Sequence, residues 1–274
     1  MKHVGLADGV SATGPRAGGA PSLVDTTQLV DPEEGRWVLN VWPDALEASG
    51  SFQAAGRRGR RAGYTPKGEG VDPERSRLEA GRRAAGRLRR YAVANRTNRF
   101  GTLTYAEAEE DVDEAHEDIA DFFRRLRAGV GKVFPYCWVT EWHPGGHGLH
   151  VHFAVGRYVH WSVIKAAWGR GRIDIRRRQN LRMGAGVVDE ARQAARYLAK
   201  YVRKSFGDDR PSNLHRYDVA QGFQPKEVRL VGRSPMEVIE AAARLVGRQP
   251  DYRWRSRDEE EWFGPPAIFV SWAG

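Results

Sequence analysis

Cysteine is almost missing from this chain: Cys137 is the single one among 274 residues. It excludes an intramolecular disulfide and any multi-cysteine zinc site, and it favours a reducing, cytoplasmic setting. Long apolar runs are missing too. No stretch approaches eighteen consecutive apolar residues, so no transmembrane helix is expected. The Gly- and Ala-rich start, Met1 to Ala20, has no apolar core and does not read as a secretory signal. No G-x-x-x-x-G-K-[ST] segment occurs, so no P-loop helicase is expected in the chain. Acidic residues are the scarcer charge, 35 against 44 Lys and Arg, for a net charge of +9. Hydrophobic residues at 41% nevertheless support a proper core, which excludes a wholly disordered chain.

The positive charge is segregated. Arg57 to Arg99 holds 14 basic and 4 acidic residues, and His160 to Lys204 holds 12 basic and 3 acidic. Leu103 to Ala128 is the reverse, with 9 acids and 3 bases. Such blocks create strong local fields and favour a polyanionic partner, with nucleic acid first because phosphate neutralisation releases counterions.

Three parts follow from local composition. Residues 1–72 read as a loosely ordered segment. It has one apolar patch, Trp37 to Trp42, and a basic arm that starts at Arg57–Arg61. Residues 73–207 read as the core, opening with a helix over Pro73–Asn95 that is basic nearly all round and so suited to a phosphate backbone. Residues 208–274 form an extension, with an Ala-rich helix over Pro235–Val246 and an aromatic tail, expected to pack on the core. Within the core, periodicity predicts strands at Phe100–Tyr105, Val133–Trp142, Gly148–Val155 and Arg172–Arg176. Helices are predicted at Asp111–Ala128, His160–Trp168 and Val188–Phe206. The order β-α-β-β-α-β-α predicts an α+β, ferredoxin-like (split βαβ) fold: an antiparallel sheet with helices on one face.

The chemistry concentrates on the third of these strands. In Leu149-His150-Val151-His152-Phe153 the alternation of a strand sends the apolar residues to one face and both imidazoles to the other. Across a short turn, Glu141 can add a carboxylate, while His143 and His147 flank the turn as competing third ligands. Two imidazoles and a carboxylate with open positions suit a catalytic divalent metal, and phosphoryl chemistry would select Mg2+ or Mn2+.

A second constellation lies on the last helix of the core. Tyr197, Lys200, Tyr201 and Lys204 fall at i, i+3, i+4 and i+7, one stripe beside an apolar stripe of Ala191, Ala194, Ala195, Leu198 and Val202. A phenol with a pKa of ~10 is about one part in a thousand ionised at pH 7. A metal polarising a phosphate, with lysines balancing charge, would make phenol attack feasible.

Taken together, Phe100-Gly101-Thr102-Leu103-Thr104, the stretch Glu141 to His152 (EWHPGGHGLHVH) and the stretch Tyr197 to Lys204 (YLAKYVRK) resemble the three motifs of HUH endonucleases. Among these they resemble the rolling-circle replication initiators of plasmids and small phages. Trp168 to Ile175 is similar to the segment joining the second and third motifs in bacterial initiators. The resemblance covers about residues 80–206. It implies Mg2+ or Mn2+ held by His150, His152 and Glu141 on the scissile phosphate of single-stranded origin DNA. Tyr201 would be the attacking nucleophile, leaving a 5′-phosphotyrosine and a free 3′-OH, with Tyr197 as a second nucleophile for strand rejoining. Lys200 and Lys204 would position phosphate or balance charge on the leaving oxygen. Many relatives carry a histidine two residues before the core pair. Here that position is Gly148, which strengthens Glu141 as the third ligand. The absent helicase motif implies superhelical tension and a borrowed host helicase and replication machinery. A transposase or relaxase with the same chemistry, and a non-catalytic nucleic-acid-binding protein, are the alternative readings.

Overall fold

A computed structural model describes residues 35–55, 72–143, 145, 148–177, 185–207, 216–260, 262 and 264–274. The basic arm at Arg57–Arg61 and the candidate ligand His147 lie outside these residues. The described chain is α+β, with two antiparallel five-stranded sheets and five α-helices.

The first sheet carries the sequence motifs. Its strands are β3 (Arg99–Tyr105), β4 (Tyr136–Trp142), β5 (Leu149–Val155), β6 (Gly171–Arg177) and β7 (Tyr217–Val219), in the order β6-β3-β5-β4-β7. Strand β5 therefore sits between β3 and β4, and β6 adds to the free side of β3. Strand β4 begins at Tyr136 rather than Val133, because Pro135 lacks the N–H a ladder position needs.

Alternation along these strands makes two apolar faces. Leu103, Trp138, Val151, Phe153 and Val155 meet helices α2 (Val112–Val130) and α3 (Trp161–Trp168) in one core. Asp111 caps α2 by accepting from the Asp113 and Glu114 amides, and left-handed Gly131 ends it. Phe100, Cys137, Val139 and Ala154 face the other way, onto α1 (Pro73–Ala94) and α4 (Val187–Gly207). This corrects the expectation of helices on one face. The face that bears the histidines also bears these four apolar residues, and they need cover.

Helix α1 corrects a second expectation. Its sequence is not polar all round, because Gly81, Ala84, Ala85, Leu88, Tyr91 and Ala92 make a narrow buried face of mostly small residues. That face is packed on α4, so protein rather than phosphate is the partner of the buried side. A Cβ built on Gly81 would stand 3.0 Å from Phe206 Cβ, which shows how close the two helices run.

The second sheet joins residues from both sides of the first. Its strands are β1 (Arg36–Trp42), β2 (Glu47–Gln53), β8 (Val228–Gly232), β9 (Tyr252–Arg255) and β10 (Ala267–Ser271), ordered β8-β1-β2-β10-β9. The apolar patch Trp37–Trp42 is thus one arm of a hairpin. Helix α5 (Pro235–Val246) lays Val238, Ile239 and Ala242 on Leu39, Val41, Ile268 and Val270. Glu47, nearly buried on β2, accepts two hydrogen bonds of 2.9 Å from the Arg89 guanidinium of α1 and lies 3.6 Å from Arg90. No helix among the described residues is long and apolar enough to cross a membrane.

Candidate active site

Strand register builds the site. Glu141 of β4 stands opposite His150 of β5, His150 opposite Thr104 of β3, and His152 opposite Thr102. Residues directly opposite in antiparallel strands point to the same face, so these side chains share the α4 side of the sheet.

The expected carboxylate does meet an imidazole. His152 Nε2 lies 2.9 Å from Glu141 Oε2, and His152 Nδ1 lies 3.0 Å from Thr102 Oγ1. Burial pushes the Glu141 carboxyl up, but hydrogen bonds from His152 and Lys204, with their positive charges, outweigh it and hold the group below its ordinary value. An ionised carboxylate only accepts, so Nε2 carries the ring proton in this arrangement. The Thr102 hydroxyl shares the second hydrogen bond, with Nδ1 on the other side of the ring. Thr102 is a site residue that the sequence does not single out. Its one signal is its place two positions after Phe100 in the first motif, on the face that alternation gives to the histidines.

Helix α4 brings in the third motif. The Tyr201 ring stacks on His152 with centroids 4.1 Å apart, and the Tyr201 hydroxyl donates to the Tyr197 oxygen at 2.6 Å. Tyr197 stands edge-on to Phe100 at 4.8 Å. Lys204, one turn after Tyr201, donates to Glu141 Oε1 at 2.9 Å. Lys200 is exposed and, among the described residues, has no ion pair with the cluster. His143 lies with its ring centroid 4.7 Å from that of His150, and its Nδ1 accepts from the Gly145 amide. The structure therefore gathers Glu141, His150, His152, Tyr197, Tyr201 and Lys204 on one face, with His143 at the rim and Lys200 outside.

The donor set suits a divalent ion in kind: two imidazoles, one of them in contact with an ionised carboxylate. In this arrangement both Glu141 oxygens are engaged, by His152 and by Lys204. Among the described residues, no group of three or more His, Cys, Asp or Glu is drawn together so as to hold a metal. A cation at Glu141 and His152 would replace the hydrogen bond that joins them and compete with the Lys204 ammonium.

Neither the curated proteins nor the solved structures give a significant match to this chain. A family model does: residues 98–206 match the one described as Replication-associated protein ORF2. The matched segment runs from the start of β3 almost to the end of α4 and contains every side chain of the cluster, and this match supports a rolling-circle replication initiator.

Proposed function

We propose that the chain nicks and rejoins single-stranded DNA in rolling-circle replication, through attack of Tyr201 on a phosphodiester at the face formed by β3, β4 and β5. The strand order β6-β3-β5-β4, which is that of a split βαβ sheet, agrees with a ferredoxin-like HUH nuclease core. The observation that carries the reading is convergence. The Tyr201 ring of the third motif lies against His152 of the second at 4.1 Å, while Lys204 reaches Glu141 at 2.9 Å. Plain nucleic-acid binding requires none of these contacts.

In the reaction, a bond forms between the Tyr201 oxygen and phosphorus as the bond from phosphorus to the 3′ oxygen breaks. The products are a 5′-phosphotyrosine and a free 3′-OH able to prime synthesis. The phenol proton passes to the Tyr197 oxygen as Tyr197 releases its own hydroxyl proton to solvent, and the departing 3′ oxygen takes up a proton from solvent. Tyr197 aims the Tyr201 hydroxyl and is placed to act as the second nucleophile when strands are rejoined. Lys204 balances charge beside the phosphate, and Lys200 contributes cationic field from outside the cluster. His150, His152 and Glu141 would hold Mg2+ or Mn2+, which when bound polarises the phosphate. Strand opening is left to superhelical tension and a host helicase.

The test uses the full chain, Mn2+ and labelled single-stranded oligonucleotides tiling the DNA around its coding region. An SDS-resistant protein–DNA adduct is expected, abolished by Tyr201→Phe and by EDTA. An adduct formed equally by Tyr201→Phe would overturn Tyr201 as nucleophile.

A further inference from the structure

The segment Trp168 to Ile175 is the one sequence motif that the site itself does not use. It is firmly built. The Trp168 indole N–H donates to the Thr104 carbonyl at 3.2 Å, and the Ala106 amide donates to the Arg170 carbonyl at 2.9 Å. Gly171, at φ +154°, lies so close to β3 that a Cβ would fall 2.3 Å from the Thr104 oxygen, so only glycine fits. Arg170 spends its charge on Asp118, at 2.6 Å, and on Asp121 of α2.

Arg172 differs. It is exposed, and no hydrogen bond or ion pair engages it among the described residues. Register fixes where it points. Arg172 is opposite Thr104, Thr104 opposite His150, and His150 opposite Glu141, so the four form one row across the sheet on the face of the candidate site. Strands spaced about 4.8 Å apart put Arg172 about 10 Å from His150 in backbone terms. Thr104, half-buried, is the only residue of the row between them. The next position of β6 on this face, Asp174, stands opposite Thr102 in the row of His152.

We infer that Arg172 binds a backbone phosphate of single-stranded DNA, one that belongs to a nucleotide neighbouring the one cut. The DNA strand leaves the site across Thr104 to the edge strand β6. This rests on the nickase reading only for the word "cut"; the phosphate contact stands or falls alone. A guanidinium held on a rigid strand, with no carboxylate partner among the described residues, matches a phosphate in charge and in hydrogen-bond geometry.

The experiment measures binding of a labelled oligo(dT) to the full chain across a salt series, alongside adduct formation with the cleaved oligonucleotide. Arg172→Gln is expected to weaken oligo(dT) binding about five- to tenfold and to reduce the slope of log affinity against log salt by about 0.7, the share of one single-strand phosphate contact. Arg172→Lys should keep the slope, and Arg244→Gln on α5 should change nothing. Thermal unfolding of Arg172→Gln should match wild type, since the side chain has no hydrogen-bond or ion-pair partner among the described residues. In the adduct assay, the DNA concentration for half-maximal rate should rise by the same factor with the maximal rate retained. Wild-type affinity and slope in Arg172→Gln would overturn the contact even if the protein nicks. Absence of any wild-type adduct would sink the nickase reading and leave the binding arm to decide Arg172.

Discussion

The Tyr201 ring lies nearly parallel to the His152 imidazole, with centroids 4.1 Å apart and planes inclined by 21°. A side chain from a helix and one from the middle strand of a sheet are thereby held in van der Waals contact. The phenol cannot swing far without losing the stack, so its hydroxyl stays next to that of Tyr197.

This contact makes Tyr197 an aiming group before it is anything else. Tyr197→Phe removes the acceptor of the Tyr201 hydroxyl bond and keeps the ring edge on Phe100. The loss of one hydrogen bond, about 1 kcal/mol, predicts first adduct formation slowed about fivefold and not abolished. Rejoining of the cut strand should fall much further. Both are read from one gel time course of adduct and religated product.

Thr102 fixes the other side of the His152 ring. Thr102→Val keeps the shape of the strand residue and loses the 3.0 Å bond to Nδ1. Groups that orient a metal-ligating histidine typically matter about 10- to 100-fold in metal affinity. The expected result is a Mn2+ midpoint for adduct formation raised about tenfold, with Thr102→Ser restoring it. Direct Mn2+ titration by electron spin resonance checks the same shift without turnover.

Cys137 is fully buried beneath α1 and α4, and burial pushes its thiol up to about 12 from an ordinary 9.0. The native protein should resist thiol reagents at pH 8 and react fully in urea. The sign of the linkage follows from the raised value. Below pH 9 the neutral thiol contributes its full share to stability, and that share is lost as pH climbs from about 9 towards about 12. Cys137→Ala should flatten the alkaline limb of a plot of stability against pH.

Glu47 ties the second sheet to α1. Glu47→Ala leaves Arg89 and Arg90 without their carboxylate in a partly buried place. Breaking such a pair costs about 3 kcal/mol, the low end of the range because Arg89 keeps some contact with water. Urea unfolding should show a lower midpoint with an unchanged slope.

Much of this arrangement is legible in the chain itself. From Phe100 to Phe206 the helices and strands differ in period, and alternation alone puts His150 and His152 on the face where Glu141, Thr102 and Thr104 stand. The second sheet is hidden for a physical reason. Strand β2, Glu-Ala-Ser-Gly-Ser-Phe-Gln, is polar and small, and β1 finds its partner β8 at Trp37–Gly232, far beyond any local pattern. The buried face of α1 is hidden because alanine and glycine bury by close approach rather than by bulk. Thr102 is hidden because a threonine in a strand is ordinary until its neighbour across the ladder is known.

Strands β1 and β2 precede the matched segment and β8, β9 and β10 follow it, yet all five belong to one sheet. The polypeptide opens one layer, departs to build the sheet that carries the motifs, and returns to close the layer it began. A fragment trimmed to residues 98–206 would lack Leu88 and Tyr91 and present the flank of α4 bare to water. The smallest piece that a family pattern can recognise is therefore smaller than the smallest piece that can stand by itself.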